Sequence, residues 1–155
     1  MQLARTVALV TAAFAAGLLT SRMLPLAHAQ APAAAAPLQA QIIDVNALGE
    51  NELGAIVPNT DLRSKLFVVT DNATIAVQQG NVGKHFHAST DEIQYIVEGT
   101  GTAWLGDKQR TIKPGDLIII PRGTAHAGTI ATSGRFKAIA IKIPAQAAGD
   151  THFLP

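Results

Sequence analysis

Three histidines and one glutamate carry the plainest chemistry in this chain. His85-Phe86-His87 closes a strand-like run. Residues i and i+2 of a strand point to one face, so both imidazoles can reach a single ion with Phe86 on the far side. Glu92 follows five residues after His87, and the short loop Ala88–Asp91 can turn the chain so that Glu92 starts the next strand beside them. His126 comes after Pro121-Arg122-Gly123, a rigid turn that lets a distant strand bring in a third imidazole. Three neutral nitrogens and a carboxylate form a borderline-hard donor set. It suits Fe(II), Mn(II), Ni(II), Cu(II) or Zn(II), and without thiolates it is not a structural zinc site. Four protein ligands leave an octahedral ion two positions for water, dioxygen or a bidentate substrate.

The elements that must position these residues read as strands and turns. No window of helical length has a clean 3.6 period. Short β-branched runs recur instead, at Ile42–Val45, Leu66–Thr70, Thr74–Gln78, Ile93–Glu98, Thr102–Leu105, Arg110–Lys113, Leu117–Pro121 and Phe136–Ile143. Turn residues separate them, among them Gly106-Asp107, which reads as a hairpin tip, and Pro114-Gly115-Asp116, a tight turn. The spacing predicts an all-β antiparallel barrel or sandwich. Leu117–Ile120 lacks alternation, which predicts a strand covered on both faces. Ala47–Thr60 is less regular and reads as an N-terminal excursion with at most one edge strand.

Around the four ligands, Gln94 lies two residues past Glu92 and faces the same interior on a regular strand. Its amide either bonds a neighbouring strand or faces a metal-bound water or substrate oxygen. Tyr95 and Phe86 then face outward, to pack or to support a dimer. Trp104 reads as packing in the barrel. Arg122 sits in a turn beside the mouth, where it can meet an acidic substrate or solvent. Asp91 reads as loop-exposed. His152 falls in the tail Gly149–Pro155 and reads as a solvated tail residue. Lys65, Lys137 and Lys142 receive no role.

These residues resemble the two conserved motifs of the cupin superfamily. Gly80, His85-x-His87, Glu92 and Gly99 match the first motif; Gly115, Pro121-x-Gly123 and His126 match the second. Only four residues separate Gly80 from His85, one short of the usual spacing, and Ile130 stands where the family often has Asn. The resemblance runs from about Val68 to Pro144. It implies a jelly-roll barrel with the metal inside one mouth, a ligand set of His85, His87, Glu92 and His126, and a homodimer in which residues 41–60 and the linker supply an exchanged strand.

Composition bounds the rest. The 155 residues suffice for one domain. The net charge is +1, which excludes a large basic field for nucleic acid. The chain has no cysteine, and hence no disulfide framework or lipid-bearing Cys. Residues 1–29 read as a Sec-type signal peptide: Arg5, the apolar run Thr6 to Leu19, and the cleavage site Ala27-His28-Ala29. The other reading is an uncleaved anchor, against which the run is short and broken by Thr20, Ser21 and Arg22. An Ala/Pro-rich linker (30–40) and a barrel domain (41–155) follow, and the expected location is the periplasm or the medium. No membrane contact is expected after cleavage.

The resemblance implies a metal-dependent enzyme of the dioxygenase, isomerase or lyase class acting on a small oxygenated or carboxylate substrate. In that reading Glu92 also acts as a base and Gln94 orients substrate. The alternative is a non-catalytic metal- or sugar-binding module, since a fold does not settle function.

Overall fold

The computed structural model describes residues 37–155, so the signal-peptide reading and most of the linker lie outside the described residues. The described chain is one short helix, α1 (Glu50–Leu53), and eight strands: β1 (Asp61–Val69), β2 (Thr74–Asn81), β3 (His85–His87), β4 (Asp91–Leu105), β5 (Lys108–Ile112), β6 (Leu117–Ile120), β7 (His126–Ile143) and β8 (Thr151–Phe153). All the pairings are antiparallel. β1, β2, β7, β3 and β8 neighbour one another in that order, and β4 pairs with β5, β6 and β7. The sheet curls into a jelly-roll β-barrel, the architecture the sequence motifs imply.

Two long strands form the spine. β4 runs unbroken through the two runs read separately from the sequence, and β7 starts ten residues before the expected Phe136. Their ladder shifts register between Ile96 and Glu98, and twice more before Gly101. Gly99 lies in this bent stretch at φ 86, where a Cβ would sit 2.8 Å from the Phe136 backbone. A positive φ and a backbone wall both demand glycine there. The Gly-Asp turn that breaks the pattern in sequence is real: β4 and β5 form a hairpin over Gly106-Asp107, with Leu105 opposite Lys108.

Alternation sorts side chains to the two faces of the sheet. Along β7, Phe136, Ala138, Ala140 and Lys142 share one face. Their partners Ile96, Gln94 and Glu92 on β4, and Ala76 and Gln78 on β2, lie on the same side. Deep in the barrel, Ile96, Ala103, Ile112, Phe136 and Ala138 form an apolar core with Ile118 against it. Burying each large aliphatic or aromatic side chain there contributes about 1.5–3 kcal/mol. Toward the mouth the same face turns polar, with Gln78, Gln94, Glu92 and Lys142.

Three expectations are corrected and a fourth is sharpened. Ile42–Val45 forms no strand: Ile42 is fully exposed, and Ile43 and Val45 line a surface groove together with Phe67 and Val68. β6 is not covered on both faces: Ile120 is buried while Leu117 and Ile119 are 62% and 56% exposed. Its unbroken apolar text reflects an inward row on the core and an outward row left open. The Gly149–Pro155 tail is not loose, because β8 pairs with β3, placing His152 opposite Phe86 with their rings stacked at 4.9 Å. His152 is exposed to solvent but is a strand residue. Finally, Ala47–Thr60 carries α1 and a single bridge, Ile56 to Arg63, rather than an edge strand.

Candidate metal centre

Each of the four residues is placed by backbone pairing. His85 and His87 occupy the two inward positions of β3, with Phe86 between them facing β8. His85 is the register partner of His126 at the start of β7. Glu92 sits one residue into β4, between Ile120 of β6 and Lys142 of β7. Gly123 N donates to His87 O at 2.7 Å, so the Pro121–Gly123 turn is tied directly to the first histidine pair. One ligand atom from each of His85, His87, Glu92 and His126 lies within 4.8 Å of the others, and all four residues are buried.

The imidazoles are oriented by a repeated device. His85 Nδ1 lies 2.8 Å from Gly83 O, His87 Nδ1 2.9 Å from Asp150 O, and His126 Nδ1 2.9 Å from Thr124 O. A carbonyl can only accept, so each Nδ1 carries the proton and donates. Each Nε2 is then left as a bare lone pair. Gln146 Nε2 also lies 3.2 Å from His87 Nδ1, but a protonated nitrogen cannot accept; that amide serves Thr151 Oγ1 at 2.7 Å.

Three lone pairs therefore meet a carboxylate. Glu92 Oε2 is 3.0 Å from His87 Nε2 and 3.2 Å from His126 Nε2. The second contact is close but badly aligned, and His126 Nε2 has no hydrogen-bond partner although it is fully buried. Buried acceptors converging without donors are costly, and a divalent cation is the group that satisfies all four at once. The donor set, the tautomers and the orphaned nitrogen fit a metal of the borderline class.

Electrostatics favour the same state. Burial, followed by the charge of neighbouring His126, pulls the His85 pKa down from 6.5 to about 4, so its imidazole is neutral and ready to ligate. Burial alone would raise the Glu92 pKa. The close His126 and His87 rings and the charge of Lys142 override it and hold Glu92 well below the usual carboxylate range.

The surroundings extend beyond the expected residues. Gln94 Nε2 donates to Glu92 Oε1 at 2.9 Å, and Gln94 lines the cavity at the barrel mouth. That cavity measures about 290 Å³ and is bordered by His85, Glu92, Gln94, Lys142, Gln146 and Thr151 among others. Lys142 Nζ stands 3.9 Å from Glu92 Oε2 and donates to Gln146 Oε1. Asp150 Oδ1 accepts from Ala88 N and Ser89 N, both at 3.0 Å, which fixes the loop between His87 and Glu92.

Arg122 is not free to greet a substrate. Its side chain forks onto Asp91, Nη2 to Oδ2 at 2.7 Å and Nε to Oδ1 at 3.1 Å, and its backbone N–H adds a third bond. Trp104 lies beside the apolar core rather than at the mouth, with Lys84 Nζ 3.8 Å above its ring. Lys142, Gln146 and Asp150 are the site neighbours the sequence reading missed. Lys142 shares the inward face of Phe136, Ala138 and Ala140, but the competing apolar row of Ile139, Ile141 and Ile143 hides that phase in the sequence. Gln146 and Asp150 sit in irregular chain with no period to betray them.

Residues 73–142 match the family model described as cupin domain, a span that holds all four converging ligands. Over a longer span, the chain is 28% identical over 138 residues to an acireductone dioxygenase of Rhodopseudomonas palustris, covering 83% of this chain and 82% of the relative. Solved structures share the cupin fold. An uncharacterised protein with a double-stranded β-helix domain from Klebsiella pneumoniae superposes with a TM-score of 0.54 at 16% identity, over 68% of this chain and 91% of its own. Pac13, a nucleoside dehydratase, gives 0.51 at 18% identity, over 64% of this chain and 85% of its own. KdgF from Halomonas sp. gives 0.50 at 22% identity, over 56% of this chain and 81% of its own.

Proposed function

We propose that this protein is an exported, metal-dependent cupin enzyme of the dioxygenase, isomerase or lyase class, acting on a small oxygenated or carboxylate substrate. The observation that carries the reading is the convergence of three Nε2 lone pairs and the Glu92 carboxylate at the floor of an open cavity. His85, His87, Glu92 and His126 hold the ion. When bound, it supplies Lewis-acid polarisation of a substrate oxygen and, if redox-active, the means to engage dioxygen. The chain's own residues do the rest. Gln94 has its amide carbonyl for a substrate hydroxyl while its N–H₂ steadies Glu92. Glu92 Oε1, turned away from the imidazoles, is the acceptor best placed to take a substrate proton. The apolar cluster of Ile96, Ile112 and Phe136 lies below.

The similarity to an acireductone dioxygenase supports the enzyme reading over a non-catalytic binding module, as does Lys142, a titratable group beside the ligands. A screen of the metal-loaded protein against small oxygenated substrates, acireductone included, tests this. Turnover that disappears in His85→Ala/His87→Ala supports the enzyme. Measurable ligand binding with no turnover under any metal would replace it with the binding module.

Export and pairing belong to the same proposal. The Arg5 to Ala29 leader and the absence of cysteine support export. The outward face of β6, β4 and β7 supports a homodimer, because Leu117, Ile119, Tyr95 and Ile143 are 62%, 56%, 44% and 46% exposed there. An open apolar sheet face of this kind calls for a partner.

A further inference from the structure

Among the described residues that line the mouth, Lys142 is the one charged side chain that the ligand set does not use. It stands opposite Glu92 in the β4–β7 ladder, largely buried, on the inward face. Burying an ammonium is costly unless its donors and charge are answered. Only part of that demand is met within the chain. Its Nζ donates to Gln146 Oε1, and among the described residues to no other acceptor. Glu92 Oε2 at 3.9 Å is too far for a hydrogen bond.

The charge around it is also unbalanced once the centre is loaded. Two carboxylates act on Lys142, those of Glu92 and Asp150. Glu92 Oε2 points at the imidazole nitrogens and is committed to the ion. Asp150 Oδ1 is held by Ala88 and Ser89 N–H groups. A divalent ion and an ammonium then set three positive charges against these two carboxylates, leaving one positive charge over. Free N–H donors of Lys142 face a space of about 290 Å³, beside the polar side chains of Gln94, Gln146 and Thr151.

We propose that Lys142 is the substrate-anion anchor of this site: the cavity selects small organic acids, with the carboxylate on Lys142 and a neighbouring hydroxyl or carbonyl oxygen at the metal position. The proposal rests on the metal-site reading given above. Gln146 is the positioning residue in this arrangement, since its carbonyl holds the ammonium and its N–H₂ is fixed on Thr151.

The test compares glycolate with its neutral isostere glycolamide by titration calorimetry on the metal-loaded protein. Metal content is measured first. If the wild type takes up no metal, the site reading itself fails, and this is known before any ligand is added. With metal bound, glycolate should bind about ten- to a hundred-fold tighter than glycolamide, the range of a charge-assisted hydrogen bond. Lys142→Gln should abolish that preference at unchanged metal content and unchanged glycolamide affinity, and Lys142→Arg should restore much of it. Equal binding of the two ligands by the wild type would overturn the proposal. So would a preference that survives Lys142→Gln, or loss of the metal in that variant, which would make Lys142 a support of Glu92 instead.

Discussion

His87 on β3 and Asp150, sixty-three residues later, are joined twice over: Asp150 O accepts from His87 Nδ1 at 2.9 Å, and its carboxylate caps the two residues that follow His87. The C-terminal segment thus sets the tautomer of a ligand and the shape of the loop leading to Glu92. Hydrogen-bonded supports of this kind tune metal affinity nearly as strongly as the ligands themselves.

Asp150→Ala should show this. Ala88 N and Ser89 N lose their acceptor, which costs about 1–3 kcal/mol of stability. The loosened His87 should weaken metal binding by roughly 10- to 100-fold. Chemical denaturation of the metal-free protein and a chelator competition measure the two effects separately. A variant with unchanged metal affinity would show that β8 pairing alone orients His87.

The metal-free protein should lose stability in mild acid. His85 has its pKa lowered from 6.5 to about 4 in the folded state. Above pH 6.5 neither state binds the proton. As pH falls below 6.5 the unfolded chain takes it up and the folded one refuses it, so stability declines until both are protonated near pH 4. The loss attributable to His85 is about 3 kcal/mol. Glu92, with its pKa depressed, adds a further loss below its ordinary value. Denaturant midpoints between pH 7.5 and 4 record the decline, and His85→Asn should flatten its upper part.

Much of the site was legible because its chemistry follows strand arithmetic. His85 and His87 share a face by the period of two, and the Pro121–Gly123 turn announces the arrival of His126. The glycines of the two motifs are equally readable, since positive φ leaves few alternatives. What the sequence could not show was the phase of each strand. Leu117–Ile120 is apolar at every position, so alternation could not separate the inward Ile120 from the outward Ile119. Lys142 lies in a strand whose phase is fixed only by pairing with Glu92. Asp150 and His152 gain their places from a short strand stabilised by a distant partner, β3, and no local pattern encodes that.

Two glycines at positive φ should differ sharply in cost. Gly80 has φ 111, and a Cβ there would lie 1.8 Å from Asp61 O on the paired β1. Gly80→Ala must push the strands apart and should cost more than about 3 kcal/mol, combining strain with broken pairing. Gly106 has φ 66 at the hairpin tip with nothing near its Cβ position. Gly106→Ala should cost only the left-handed penalty, about 1–2 kcal/mol. Thermal unfolding of the two variants side by side checks the contrast.

The open outer face gives a test of pairing. Ile119 and Leu117 stand in the exposed row beside Tyr95. Ile119→Asp adds a charge to that face without touching the core. Light scattering at micromolar concentration should give a dimer mass for the wild type and a monomer mass for the variant. A monomeric wild type would remove the face from consideration as an interface.

The most direct measurement is the metal itself. Residues 30–155, prepared with native export, are analysed by plasma mass spectrometry beside His85→Ala/His87→Ala. The account predicts near-stoichiometric iron, manganese, nickel, copper or zinc in the wild type and its loss in the variant. A wild type that carries no metal and takes none up on reconstitution would contradict it, and the four converging side chains would then be a polar binding site without an ion.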